Sequence, residues 1–173
     1  DTLAALGFNR VSLGLQDTDP RVQEAVNRVH SRDTVEQVIA ALRAAGFKGL
    51  NLDLIYGLPF QTLESWQQTL RDMERFQPDR VAMYGFAYIP SKMKQQKHLQ
   101  PDSLPDSRQR FEQFLSGLDW FTSHDYLYIG LDHFALKTDE LDVVTDRGYF
   151  NSLEILACDK DGITVTLPAY VRF

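Results

Sequence analysis

The feature that most constrains the fold is a short apolar run, within residues 51–62, that contains one carboxylate and leads into a turn and a helix start. Leu52, Leu54 and Ile55 favour a buried strand covered on both faces. Asp53 interrupts the run, and because an unpaired charge is costly in a core, we expect it near the C-terminal end of the strand, facing a site. In α/β barrels, ligands bind where strands end, so this segment predicts the rim of an active site.

Strand and helix patterns alternate along most of the chain. Such alternation predicts an α/β fold of parallel βαβ units with right-handed crossovers, its strands adjacent in chain order and its helices outside. We expect Asp33 and Glu36 to form a capping box on the first long helix, and Thr62 to cap the next. The predicted strands span 9–16, 49–57, 80–88 and 126–130, and the predicted helices span 33–45, 62–76 and 106–124.

The pattern changes after Leu141. A short helix is expected over 150–156 and a strand over 163–167, an arrangement that resembles the end of a winged-helix-like module. We therefore divide the chain into a partial (β/α) barrel at 1–141 and the remnant of a small α+β C-terminal module at 142–173.

Composition narrows the class of protein. The net charge of -6 and the pI of about 5.1 argue against binding to nucleic acid or to an anionic membrane. No apolar run is long enough to span a bilayer and no signal peptide is evident, so we expect a monomer in the cytosol. The single cysteine, Cys158, excludes an internal disulfide and an all-protein thiolate metal site, so no metal ligand is assigned.

Three polar residues near the predicted strand ends are candidates for ligand binding. Gln16 ends the first strand, where it either faces a ligand or bonds its own loop. Arg28 is either a fixed cation for a carboxylate or an exposed helix arginine. Asp53 suits the two hydroxyls of a ribose, although a salt bridge at the barrel rim explains it equally well.

Two further groups have functional and structural interpretations. Asp132 and His133 could form an acid/base pair, but neighbouring strand residues point to opposite faces, which favours a structural histidine. The long loop at 90–105 either meets an acidic substrate or is a solvated surface. No Gly-rich phosphate loop, nucleophile elbow or His-Glu-x-x-His motif occurs, so no catalytic residue is assigned. The basic residues of the loop are Lys92, Lys94, Lys97 and His98.

Taken together, four segments resemble one family, the oxygen-independent coproporphyrinogen III oxidases, which are radical S-adenosylmethionine enzymes of haem synthesis. The resemblance extends over 1–141. Its Ile-Gly-Leu-Asp-His-Phe segment favours the oxidases proper over the related haem-chaperone branch. The segments are Val-Ser-Leu-Gly-Leu-Gln-Asp at 11–17, Val-Asn-Arg at 26–28, Asn-Leu-Asp-Leu-Ile-Tyr-Gly-Leu-Pro at 51–59 and Ile-Gly-Leu-Asp-His-Phe-Ala at 129–135.

The resemblance implies a cofactor, a substrate and site residues. In the family, a [4Fe-4S] cluster held by three cysteines cleaves S-adenosylmethionine reductively. The resulting 5′-deoxyadenosyl radical takes hydrogen from a propionate of coproporphyrinogen III. Loss of carbon dioxide leaves a vinyl group, and two such steps give protoporphyrinogen IX. By resemblance, Gln16 and Asp53 contact the ribose, Arg28 contacts the methionine carboxylate and Ala87 lines the adenine side.

The sequence departs from the family pattern in three ways. The cluster-binding cysteine motif, which lies upstream in the family, is absent, so we expect its ligands outside this chain and a chain cut from a longer protein. At 85–88, Gly-Phe-Ala-Tyr replaces Asn-Tyr-Ala-His. After Leu141, a long family stretch is missing. The alternatives are a non-catalytic relative that binds S-adenosylmethionine or haem, and a plain α/β binding module. The sequence does not identify an electron donor.

Overall fold

The structure is a computed structural model that describes residues 2–138, 142–144 and 164–166. Strands and helices alternate through the first part of the chain, as the sequence predicts. Two short 3-10 helices, Lys94–His98 and Pro101–Ser103, lie in the long loop before the helix Ser107–Ser123. The elements in chain order are α1 Thr2–Ala5, β1 Arg10–Gln16, α2 Pro20–Ala25, α3 Arg32–Ala44, β2 Gly49–Tyr56, α4 Leu63–Phe76, β3 Arg80–Gly85, α5 Ser107–Ser123, β4 Tyr126–Gly130, β5 His133–Leu136, β6 Asp142–Val144 and β7 Thr164–Thr166.

The main sheet has five strands in the order β1-β2-β3-β5-β4. The first three are parallel, as predicted, and are joined through helices α3 and α4. The expectation that β4 lies beside β3 is wrong, because β5 separates them and runs antiparallel to both.

A tight turn explains this difference. Leu131 and Asp132 both have positive φ, 51° and 61°, and they join β4 directly to β5. Two-residue hairpin turns with positive φ at both positions match the twist of antiparallel strands. After β4 the chain therefore folds back at once, and β5 takes the place beside β3.

Two helices differ in whether their N-terminal caps match the prediction. Thr62 caps α4 as predicted: its Oγ1 accepts from the Ser65 amide at 3.1 Å, and the Ser65 hydroxyl accepts from the Thr62 amide at 3.0 Å. The capping box predicted at Asp33 and Glu36 is wrong. Helix α3 starts at Arg32, and the Ser31 hydroxyl accepts from the Thr34 amide at 3.1 Å.

In the part of the chain that the structure describes, helices cover the sheet on one face only. On that face the side chains of Leu52, Leu54, Trp66 and Phe121 are fully buried. Side chains alternate along a strand, so the intervening residues of β2 lie on the opposite face, which is polar in the part of the chain that the structure describes. The prediction of a strand covered on both faces is therefore wrong for β2 within the described residues.

The C-terminal region is described only at β6 and β7, which pair in parallel. The strand predicted at 163–167 is confirmed by β7. The helix predicted at 150–156, on which the winged-helix-like interpretation depends, lies outside the described residues.

Candidate functional site

Gln16, the last residue of β1, adopts a conformation that is unusual for its residue type. Its φ is 60°, and the Asp17 amide donates to the Leu15 carbonyl at 2.8 Å, which closes a tight turn around it. A left-handed conformation costs a non-glycine residue about 1–2 kcal/mol. The Gln16 Oε1 atom is also buried without a hydrogen-bond partner in the described part of the chain. Backbone strain and an unsatisfied buried acceptor at one residue are typical of a ligand site.

Gln16 and Arg28 converge over Gly14. A methyl group built on Gly14 would lie 2.6 Å from Gln16 Nε2 and 3.3 Å from an Arg28 guanidinium nitrogen. Glycine at this position therefore leaves the space in which the two head groups meet. Arg28 is exposed, and its guanidinium makes no hydrogen bond or ion pair with the residues that the structure describes.

Asp53 lies next to this pair, but not where the sequence predicts. It is three residues before the end of β2, where its Cα pairs in register with those of Gly14 and Ala82. Its Oδ1 accepts from Asn51 Nδ2 at 2.7 Å and from Ser12 Oγ at 3.2 Å. These bonds orient the carboxylate on the open face of the sheet.

Ala87 is the fourth candidate and lies two residues beyond the end of β3. That strand ends at Gly85, not at residue 88 as predicted. The Ala87 carbonyl accepts from Gln96 Nε2 at 2.8 Å, and its side chain is exposed. The structure shows no hydrogen bond between Ala87 and Gln16, Arg28 or Asp53, so only these last three are grouped by measured contacts or by strand register.

A cavity of about 500 Å³ lies on the open face of the sheet beside Asp53. Tyr84 and His133 line it together, with Tyr84 Oη 3.5 Å from His133 Nε2. Burial raises the pKa of Tyr84 above its ordinary value, and the nearby charges of Asp53 and Asp132 raise it further. The other lining residues are Arg10, Val11, Ser12, Gly49, Leu50, Asn51, Asp53 and Arg80.

The structure favours the structural interpretation of His133 over an acid/base pair with Asp132. His133 Nδ1 is 2.5 Å from the Leu131 carbonyl, so this nitrogen is the donor in the neutral ring. Asp132 is exposed in the turn and makes no hydrogen bond to His133. The structural interpretation of His133 is therefore the one that the geometry favours.

The basic loop adjoins the rim of the site. Gln96 anchors it, because its Oε1 accepts from the Ile89 amide at 2.5 Å while its Nε2 donates to Ala87. The Ser103 carbonyl accepts from the Phe60 amide at 2.7 Å, which ties the other end of the loop to the turn after β2. The basic side chains, which are all exposed, are Lys92, Lys94, Lys97 and His98.

Asp17, the residue after Gln16, has a buried carboxylate that was not singled out from the sequence. It is fully buried and accepts from Gln61 Nε2 at 2.6 Å, the Thr69 hydroxyl at 2.9 Å and the Asp19 amide at 2.6 Å. Burial raises its pKa above the ordinary value, and these hydrogen bonds oppose the shift. Its position directly after Gln16 was the available signal, but residue type alone does not reveal that a carboxylate is buried.

Known proteins similar to this chain were found by sequence and by structure. The model of the radical SAM superfamily matches residues 1–73. An oxygen-independent coproporphyrinogen III oxidase from Thermostichus vulcanus is 47% identical over 143 residues, 83% of this chain and 44% of that protein. The enzyme of the same name from Escherichia coli strain K12 is 37% identical over 148 residues, 86% of this chain and 32% of that protein.

A solved structure agrees with these sequences. It is that of a coproporphyrinogen III oxidase from Escherichia coli, described as a radical SAM enzyme, and it superposes with a TM-score of 0.77 at 37% identity. The superposition covers 80% of this chain and 32% of that one. The chain is homologous to part of the oxygen-independent coproporphyrinogen III oxidases. It spans less than half the length of these relatives.

Three of the four candidates lie within the segment that the radical SAM model matches. Gln16, Arg28 and Asp53 lie inside residues 1–73, and Ala87 lies beyond them. No group of three or more potential metal ligands occurs among the described residues, which do not include Cys158. None of the helices in the described part of the chain is long and apolar enough to cross a membrane.

Proposed function

We propose that this chain forms the S-adenosylmethionine-binding part of an oxygen-independent coproporphyrinogen III oxidase. The convergence of Gln16 and Arg28 over Gly14, in register with Asp53, carries the proposal. The complete enzyme would oxidatively decarboxylate two propionates of coproporphyrinogen III to vinyl groups and so yield protoporphyrinogen IX. The names of the relatives support this activity and substrate.

The residues fit the parts of S-adenosylmethionine. The Arg28 guanidinium, which makes no bond with the described residues, suits the carboxylate of the methionine end, a pairing that allows two parallel hydrogen bonds. Asp53 is an acceptor for ribose hydroxyls, and the unsatisfied Oε1 of Gln16 is a second acceptor beside it. Ala87 would line the adenine side without a polar contact of its side chain.

The cluster requires ligands that this chain does not supply. In the complete enzyme, a [4Fe-4S] cluster would supply the electron for cleavage of S-adenosylmethionine, the source of the radical that the reaction needs. The cluster needs three cysteine thiolates in this family, whereas the sequence contains only Cys158. The role proposed for this chain is therefore to bind and orient S-adenosylmethionine.

Titration of the chain with S-adenosylhomocysteine, followed by calorimetry, tests this role. A hydrogen bond to a charged group contributes about 1.5–3 kcal/mol, so Asp53→Asn should weaken binding on the order of 10- to 100-fold. Arg28→Met should weaken it by a similar factor, since the carboxylate loses its cation. Both variants should melt near the temperature of the unaltered chain, because neither side chain packs in the core.

Matched controls are available on the exposed surface. Asp119→Asn and Arg71→Met remove the same groups away from the site and should leave affinity unchanged. Absence of saturable binding by the unaltered chain would contradict the proposal. A much lower melting temperature for Asp53→Asn with unchanged affinity would show that Asp53 has a structural role instead.

A further inference from the structure

Gln23 is a buried polar residue on α2 whose side chain forms hydrogen bonds with residues outside that helix. Its side chain is 3% exposed. Its Nε2 donates to the Asp17 carbonyl at 2.9 Å, and its Oε1 accepts from the His30 amide at 3.2 Å. Its own carbonyl accepts from the Arg28 amide at 2.9 Å. One residue therefore joins the turn after Gln16 to the segment that contains Arg28.

Apart from Gln23, the segment around Arg28 has few supports in the described part of the chain, one of them being the hydrogen bond of His30 to the Leu15 backbone. Helix α2 has only six residues and ends at Ala25, and Asn27 has a left-handed φ of 54°. Residues 27–31 then run without regular structure to the start of α3. Because the Arg28 guanidinium makes no bond within the described part of the chain, its backbone determines where the side chain starts. Gln23 holds that backbone at the amides of Arg28 and His30.

The bonds of Gln23 are not needed to start the helix. Asp19 caps α2, with its carboxylate accepting from the amides of Arg21 and Val22 at 2.9 and 3.2 Å. The turn at Asp17 is likewise held independently through Gln61. Loss of the Gln23 side-chain amide should therefore free the His30 amide and loosen the Arg28 segment, although the bond from the Arg28 amide to the Gln23 backbone carbonyl remains, while Gln16 and its turn stay in place.

We propose that Gln23 is a positioning residue that fixes Arg28 over Gly14 for the carboxylate of the bound amino-acid moiety. The inference rests on the proposed function, because it assumes that Arg28 meets that carboxylate. It predicts an effect at one end of the ligand only. The ribose end depends on Asp53, on the neighbouring strand, and on Gln16, whose turn Gln61 supports.

Two ligands distinguish effects at the amino-acid end of the site from effects at the ribose end. S-adenosylhomocysteine contains the amino-acid carboxylate, and 5′-methylthioadenosine shares its nucleoside and sulfur but lacks the carboxylate. In calorimetric titrations, Gln23→Met, which keeps the volume and removes both side-chain hydrogen bonds, should lower the affinity for S-adenosylhomocysteine about tenfold. Its affinity for 5′-methylthioadenosine should stay within about twofold of that of the unaltered chain. Gln37→Met, an exposed change of the same type, should alter neither affinity.

A double variant tests whether Gln23 acts through Arg28. If it does, adding Gln23→Met to Arg28→Met should cause no further loss of S-adenosylhomocysteine affinity. Should Gln23→Met fail to fold, Gln23→Glu keeps the bond to the His30 amide and should show the same selectivity with a smaller loss.

The outcomes distinguish this inference from the proposed function. Equal weakening of both ligands, or no weakening of either, would overturn the positioning role of Gln23. Failure of the unaltered chain to bind S-adenosylhomocysteine, or an Arg28→Met variant that binds it normally, would instead overturn the proposed function on which the inference rests.

Discussion

At the scale of single residues, the candidate site depends on the left-handed backbone of Gln16 and on the lack of a side chain at Gly14. Gln16 occupies a left-handed conformation with an unsatisfied acceptor, and Gly14 leaves the space above which Gln16 and Arg28 meet. A larger residue at position 14 would push the two head groups apart without touching the core. The geometry of the site is thus set by the absence of a methyl group as much as by the groups present.

His30 should make the stability of the chain depend on pH. Burial lowers the pKa of His30 from its ordinary value of 6.5; a hydrogen bond to the Leu15 backbone opposes the shift, and the charge of Arg28 adds to it. The unfolded chain therefore binds a proton more readily than the folded chain. Stability should be unaffected by His30 above pH 6.5 and should fall as the pH drops from there through the lower pKa of the folded state.

Thermal melts between pH 8 and pH 5 check the role of His30. Because other groups also titrate in this range, the unaltered chain is compared with variants. The unaltered chain should lose more stability over that range than His30→Asn does, while His98→Asn, in the exposed loop, should behave like the unaltered chain. Identical pH profiles for the unaltered chain and His30→Asn would contradict the expectation.

The sequence pointed to the candidate residues more readily than to the residues that hold them in place. Gln16, Arg28 and Asp53 could be selected because polar groups near strand ends are conspicuous and because their segments resemble a known family. Gln23 and Asp17 were missed, because a buried glutamine or aspartate has the same letter as an exposed one. Only the surrounding packing shows that these side chains are enclosed and bonded to backbone groups.

At the scale of elements, the predictions that were wrong concern a helix cap and a turn. The strand–helix alternation was predicted because apolar spacing carries that signal directly. The hairpin from β4 to β5 was missed because Leu131 is a poor residue for positive φ, so the segment does not read as a turn. Tertiary pairing of β5 with β3 and β4 outweighs that local preference.

The start of α3 gives a direct test of capping. Ser31→Ala removes the hydroxyl that accepts from the Thr34 amide, and loss of such a cap costs about 1 kcal/mol of unfolding free energy. Asp33→Ala should cost clearly less, because Asp33 lies within the first turn and is not the cap. Urea unfolding of the two variants measures both effects. A larger loss for Asp33→Ala would restore the capping box predicted from the sequence.

At the scale of the whole molecule, the sheet has one face closed by helices and one face that is polar and open in the described part of the chain. The closed face buries the apolar residues, and the open face bears Asp53 and the cavity beside it. This asymmetry is what a segment of a barrel requires, because the open side of the sheet faces the barrel interior. Sequence periodicity revealed the apolar face but not the exposure of the opposite one.

The 173-residue chain should not assemble an iron–sulfur cluster. One cysteine cannot provide the three thiolates of a radical SAM cluster. Anaerobic reconstitution with iron and sulfide, followed by desalting, absorbance spectra and iron analysis, should find no stoichiometric cluster. A Cys158→Ser variant should give the same result as the unaltered chain. A cluster bound at one equivalent would contradict this expectation.

The interior position of β2 in the sheet has a consequence for how a ligand would leave. Strand β2 is bonded on both sides, by β1 and β3, and its Leu52 and Leu54 side chains are fully enclosed. Local opening is rarest in such elements and most frequent in short irregular segments such as the one around Arg28. In the proposed complex, the ribose would be held by the part of the fold that opens least often. Dissociation would then begin at the amino-acid end, and the nucleoside would be released last.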